Sequence, residues 1–165
     1  MWNGRAAGFT YLGLLIFMAI AGVGMAGIGT LTSVQLQRER ETELLFVGEQ
    51  FRRAIESYYR LTPGPVKMFP KDLQELVEDK RFPKPIRHLR RIYLDPVTGS
   101  QDWGIVSFGG RIMGVYSLSL QAPRKKAGFA EPQAEFAKAQ TYRDWRFTYL
   151  NPADISPHAA TSPLR

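Results

Sequence analysis

Cysteine is absent from the 165 residues, histidine occurs twice, no proline precedes Pro63, and no charged side chain falls between Arg5 and Arg38. Each gap closes off a class of function. Without cysteine there is no disulfide, no thiolate metal site and no cysteine nucleophile, so stability has to come from packing. His88 and His158 are far apart, and His158 sits in a Pro- and Ala-rich tail. A zinc centre or a Ser-His-Asp triad therefore has little to draw on. No phosphate-binding glycine loop follows a strand; Gly109-Gly110 lacks a downstream Lys-Ser/Thr and reads as a turn. Carboxylates concentrate on predicted helices, where a solvated face accounts for them. Trp103, Trp145 and Tyr149 read as core-filling aromatics rather than a binding groove. The chain reads as a non-enzyme, with no catalytic residue, cofactor or metal site.

What is present begins with a long apolar run. Phe9 to Leu31 spans 23 residues that are almost all apolar or small. At helical rise this run covers roughly 34 Å, enough for a bilayer core of about 30 Å. A secretory signal has a shorter apolar region and a small-residue cleavage site. Arg5 is the single charged side chain before the run, and the positive-inside bias places residues 1–8 in the cytoplasm and the rest across the membrane. Gly13, Gly22, Gly24, Gly27 and Gly29 punctuate the span. They form a small-residue packing face or a point of helix melting; the sequence leaves both open.

Beyond the span, Leu44, Val47, Phe51, Ile55 and Tyr58 recur at spacings of three and four, the mark of an amphipathic helix. Glu49/Arg53, Arg52/Glu56 and Glu56/Arg60 stand four apart on its other face. Pro63-Gly64-Pro65 ends it. The remainder predicts a small α+β head. A short helix is expected over Pro70 to Asp79, a short strand or extended piece at Ile92 to Leu94, and a turn at Asp95 to Gly99. Strands are expected at Trp103 to Phe108 and Ile112 to Ser117, joined by Gly109-Gly110. A short helix over Phe129 to Gln140 and a last strand over Asp144 to Leu150, with aromatics on one face, complete it. The net charge is +7, from 22 Lys and Arg against 15 Asp and Glu. The excess at Lys80 to Arg91 and Arg124 to Lys126 reads first as solvated surface, with a partner-binding patch as the alternative.

Gly8-Phe9-Thr10-Tyr11-Leu12, directly before the apolar run, resembles the prepilin leader of type IV pilins and type II secretion pseudopilins. The likeness implies cleavage between Gly8 and Phe9 by a prepilin peptidase and N-methylation of Phe9. Phe69-Pro70 with Leu73 and Leu76-Val77, and Leu89-Arg90-Arg91 followed by Asp95-Pro96, are similar to stretches of major pseudopilins. The resemblance runs from Gly8 to about Ser119. One departure is chemical: the family usually has a glutamate five residues into the mature chain, and Gly13 stands there. A carboxylate at that place would neutralise the Phe9 amine inside the bilayer, where an unpaired charge is expensive. Its loss fits a minor subunit better than a self-stacking major one. Relatives often bind calcium in an acidic C-terminal loop. The matching stretch here is Pro123-Arg124-Lys125-Lys126, which would repel a cation. Asp95 and Asp102 are read as turn caps rather than as ligands of an ion.

The resemblance therefore implies a pilin-like fold, a long helix on a small antiparallel sheet. Residues 1–8 would be the leader, 9–33 the transmembrane and assembly helix, 34–60 its amphipathic continuation, 61–150 the periplasmic head and 151–165 a loose tail. It also implies an inner-membrane protein whose partners are other pseudopilins, the prepilin peptidase and the assembly platform, with nucleic acid not expected. Two rival expectations remain. One is a minor pilin of a type IV pilus or DNA-uptake filament, its basic loops contacting phosphates. The other is a periplasmic domain on a plain signal anchor.

Overall fold

The protein is described here from a computed structural model covering residues 7–149, with the side chains of 7–10 and 20–33 left undescribed. Residues 1–6 of the expected leader, the expected tail and the surroundings of Gly22, Gly24, Gly27 and Gly29 lie outside the described residues. Helix α1 runs Ala7–Arg60, and the chain divides into two compact units, Met1–Glu39 and Arg40–Arg165. In the first unit, Tyr11 to Met18 are exposed on every side of the helix. Among the described residues no helix is long and apolar enough to cross a membrane; the apolar run expected to do so, Phe9 to Leu31, falls largely on undescribed side chains.

The second unit is α+β. Its share of α1 buries Leu44, Val47, Phe51, Ile55 and Tyr58, the stripe read from the sequence, together with Gly48 and Ala54. The outer face carries the expected i,i+4 pairs, Arg53–Glu49 at 2.8 Å, Arg52–Glu56 at 3.3 Å and Arg60–Glu56 at 2.8 Å. Arg52 also reaches Glu49 at 2.7 Å, and that bond holds the Glu49 carboxyl below its ordinary range. The helix stops where Pro63, Gly64 and Pro65 follow, with Gly64 at φ 82°.

The sheet has three antiparallel strands in the order β1 (Gly104–Phe108), β2 (Arg111–Tyr116), β3 (Phe147–Thr148). Gly109 and Gly110, at φ 58° and 73°, make the two-residue turn between β1 and β2. Positive φ at both central residues is what a type I′ hairpin turn requires. The ladder slips between Val106 and Ser107, leaving Met113 as the extra residue of a bulge. That is why Ile112, Met113, Gly114 and Val115 are all buried instead of alternating.

Three elements differ from expectation. The helix sought over Pro70 to Asp79 is the single turn α2 (Gln74–Val77), because Leu73 supplies no capping side chain and Asp79 turns away to bridge with Ile86. Ile92 to Leu94 takes the unpaired form its expectation allowed, with no ladder to any strand among the described residues. Phe129 to Gln140 yields only a 3-10 turn, Ala134–Lys138. The last strand shrinks to Phe147–Thr148: the Asp144 carboxylate takes the N–H groups of Gln140 and Thr141 at 3.0 and 2.8 Å and winds Tyr142–Asp144 into another 3-10 turn. The Thr141 N–H bond holds that carboxyl below its usual range.

The core lies between the α1 stripe and the sheet. Phe51 sits at 5.1 Å from Trp103 and meets the Tyr93 ring edge-on at 6.2 Å. Trp145 stacks on Phe136 at 5.5 Å and takes Phe129 and Tyr142 edge-on. Trp103 and Trp145 are thus core aromatics, and Tyr149 packs partly buried at the core's edge, 5.8 Å from the Tyr59 ring.

Candidate functional site

Of the sequence-predicted site residues, Gly8 and Phe9 fall in the first turn of α1, and their surroundings lie outside the described residues. The chemistry the structure does assemble stands at the other end of that helix. An α-helix leaves its last carbonyls without intrahelical donors. Here the Tyr58 carbonyl accepts from Arg81 Nη2 at 3.0 Å and from the Thr62 hydroxyl at 3.1 Å. Lys67 Nζ donates to the carbonyls of Arg60 and Thr62 at 2.9 and 3.0 Å. Two cations at a helix C-terminus also complement its dipole.

Arg81 is itself fixed. Asp79 accepts from Arg81 Nε at 2.8 Å and from Nη2 at 2.7 Å, a forked pair. The guanidinium lies 3.5 Å over the Tyr58 ring, a cation–π contact. The Tyr58 hydroxyl donates to Glu75 at 2.7 Å; burial, aided by that bond, pushes the phenol up. Asp79 is 1% exposed. Burial alone would raise its carboxyl, but the Arg81 and His88 bonds outweigh it and bring it down to about 2.

His88 joins the same knot. Its Nε2 stands 3.1 Å from Asp79 Oδ2 and its Nδ1 2.8 Å from Ser57 Oγ. The carboxylate can only accept, so Nε2 carries the proton that bonds Asp79, and Nδ1 shares the second bond with the Ser57 hydroxyl. The sequence reading missed this group, because Ser57, Asp79 and His88 are joined only by the way the 79–89 loop folds back on α1. The signal that existed was a His and an Asp inside a basic loop. A Ser-His-Asp contact invites comparison with a hydrolytic triad. The geometry argues otherwise: the His88 side chain is 0% exposed, so no leaving group can reach it, and Asp79 is shared with Arg81. The arrangement locks the loop to the helix end.

A second buried carboxylate does a similar task. Glu41 Oε1 accepts from the Tyr142 hydroxyl at 2.8 Å and from the backbone N–H groups of Arg124 and Lys125. The basic loop 123–126 is thereby held by its backbone. Asp95 is the turn cap expected of it: one oxygen accepts from Val97 N–H at 2.9 Å and the other from the Ser117 hydroxyl at 2.6 Å. Asp102 instead accepts from Ser100 Oγ at 2.6 Å. Among the described residues no three His, Asp or Glu side chains gather as a metal would require. No family model matches the chain, and no curated protein or solved structure matches it either.

Proposed function

We propose that this chain is a structural subunit of a pilin-like filament, a pseudopilin of a type II secretion apparatus, and that it acts by packing rather than turnover. One observation carries the reading. Tyr11 to Met18 expose large apolar side chains around the whole circumference of α1, with Phe17 69% exposed. A helix apolar on all sides needs a membrane or a bundle of other helices around it. In this reading the helix waits in the inner membrane with the head in the periplasm. Removal of residues 1–8 then frees Phe9, and the assembly platform moves the subunit into a filament.

Gly13 supports a minor role. It has open space around it and no carboxylate to offer the Phe9 amine, so a position without a neighbour to pair suits it. The α+β head fits the part of a rigid outer domain, because the Leu44–Tyr58 stripe of α1 is spent on its core.

The test is the mature N-terminus. The full chain, expressed in membranes with a prepilin peptidase, is expected to lose Met1–Gly8 and gain one methyl group on Phe9, read by mass spectrometry. Gly8→Val is expected to block both changes. A wild-type chain that keeps its first eight residues in the presence of an active peptidase, and cross-links to no other subunit, would overturn the proposal.

A further inference from the structure

Between the buried Leu89 and the Asp95 turn, the chain runs from Ile92 to Asp95 without a bend. None of the N–H groups of Arg90 to Leu94 donates to a backbone carbonyl among the described residues. In extended chain, N–H and C=O of successive residues face alternate edges. The Tyr93 carbonyl is taken by Trp103 Nε1 at 2.8 Å. On the opposite edge, the backbone groups of Ile92 and Leu94 make no backbone hydrogen bond among the described residues, and Leu94 is 54% exposed. Such an edge is a template for another strand.

Two further features stand beside it. A groove of about 230 Å³ is lined by Glu43 and Val47 of α1 on one side and by Tyr93, Leu94 and Gln101 on the other. Arg91 also lines the groove and Arg90 precedes it in the chain; both are exposed, and neither has a carboxylate within salt-bridge distance among the described residues. The segment is held in place from both ends. The N–H groups of His88 and Leu89 donate to the Leu76 carbonyl at 2.9 and 2.8 Å, and Asp95 N–H donates to Ser100 at 2.8 Å.

We propose that Ile92–Leu94 is an open strand edge that receives an extended acidic segment of another protein. The incoming chain pairs its backbone with Ile92 and Leu94, sets an apolar side chain into the groove and lays its carboxylates on Arg90 and Arg91. Strand addition of this kind draws affinity from backbone bonds and specificity from alternate side chains. A peptide fits where a nucleic acid does not: phosphates offer acceptors alone, and the one aromatic at the groove, Tyr93, is half-buried with Arg91 at 5.3 Å over its ring, leaving no free platform for a base. The inference concerns the head alone and stands or falls apart from the filament reading.

The test uses the full chain in detergent and a short labelled peptide alternating glutamate and valine. Binding is expected to slow hydrogen exchange at the Ile92 and Leu94 amides and to weaken as salt rises. Methylating alternate peptide amides, or replacing glutamate by lysine, is expected to abolish it. Arg90→Glu with Arg91→Glu is expected to weaken binding on the order of tenfold. Leu94→Pro removes an N–H that donates to no backbone carbonyl in the described chain and is expected to prevent binding while near-ultraviolet circular dichroism stays unchanged. Equal binding by the methylated peptide, or no protection at Ile92 and Leu94, would overturn the proposal. So would duplex DNA or phosphatidylglycerol vesicles displacing the peptide while protecting no backbone amide.

Discussion

Single residues decide two close-packed points of the head. Gly48 lies on the buried face of α1, and a Cβ there would meet the Phe147 ring at 2.4 Å. The missing side chain is what lets that ring lie against the helix backbone, and its packing value exceeds the roughly 1 kcal/mol of helix propensity a glycine gives up. Asp79 is the other point. Its folded pKa of about 2 lies below the 3.8 of a free aspartate. Its contribution is therefore complete above about pH 4 and drains away as pH falls towards 2, because the unfolded chain takes up the proton first. The shift corresponds to about 2 kcal/mol. Asp79→Asn should cost about 3 kcal/mol near neutral pH, since it leaves Arg81 without its buried partner. In urea titrations the gap between wild type and Asp79→Asn is expected to narrow steadily from pH 4 to pH 2. Acid sensitivity from Glu49 and Asp144 is common to both proteins and cancels in that difference. A gap that stays constant across this range would show that Asp79 does not carry the charge-linked term.

At the scale of elements, α1 is the member on which the head is built. Its stripe is closed over by Trp103, Tyr93 and the aromatic group around Trp145, so truncating a stripe residue opens a cavity that rigid rings cannot refill. Phe51→Ala is expected to destabilise the head by about 4 kcal/mol. Phe46, five residues away and 60% exposed, serves as the control: Phe46→Ala should change stability by less than about 0.5 kcal/mol. Equal losses from the two substitutions, measured by denaturant midpoint, would mean that the stripe is not the buried face. The stripe and its ion pairs were legible in the sequence because both follow the helical repeat. The short elements were not. Whether 70–79 or 144–150 completed a helix or strand depended on Asp79 bridging to Ile86 and on Asp144 bonding back to Thr141, contacts that periodicity does not encode.

At the scale of the molecule, the unit Arg40–Arg165 holds its own core and sheet. A fragment beginning at Arg40 is expected to melt cooperatively and to show the same stability loss from Phe51→Ala as the full chain. A fragment without a cooperative transition would mean that the head needs the apolar half of α1 to fold.

The sequence by itself determined the long helix, its apolar stripe and ion pairs, the glycine hairpin, the Asp95 turn and the charge-free apolar run, because each is written in spacing or in local conformational preference. Tertiary structure alone decided the Ser57–His88–Asp79–Arg81 knot, the Glu41 hold on loop 123–126, the bulge at Met113 and the open edge at Ile92–Leu94. Those features join residues distant along the chain, and burial changes what a charge costs only once the surrounding chain has closed over it.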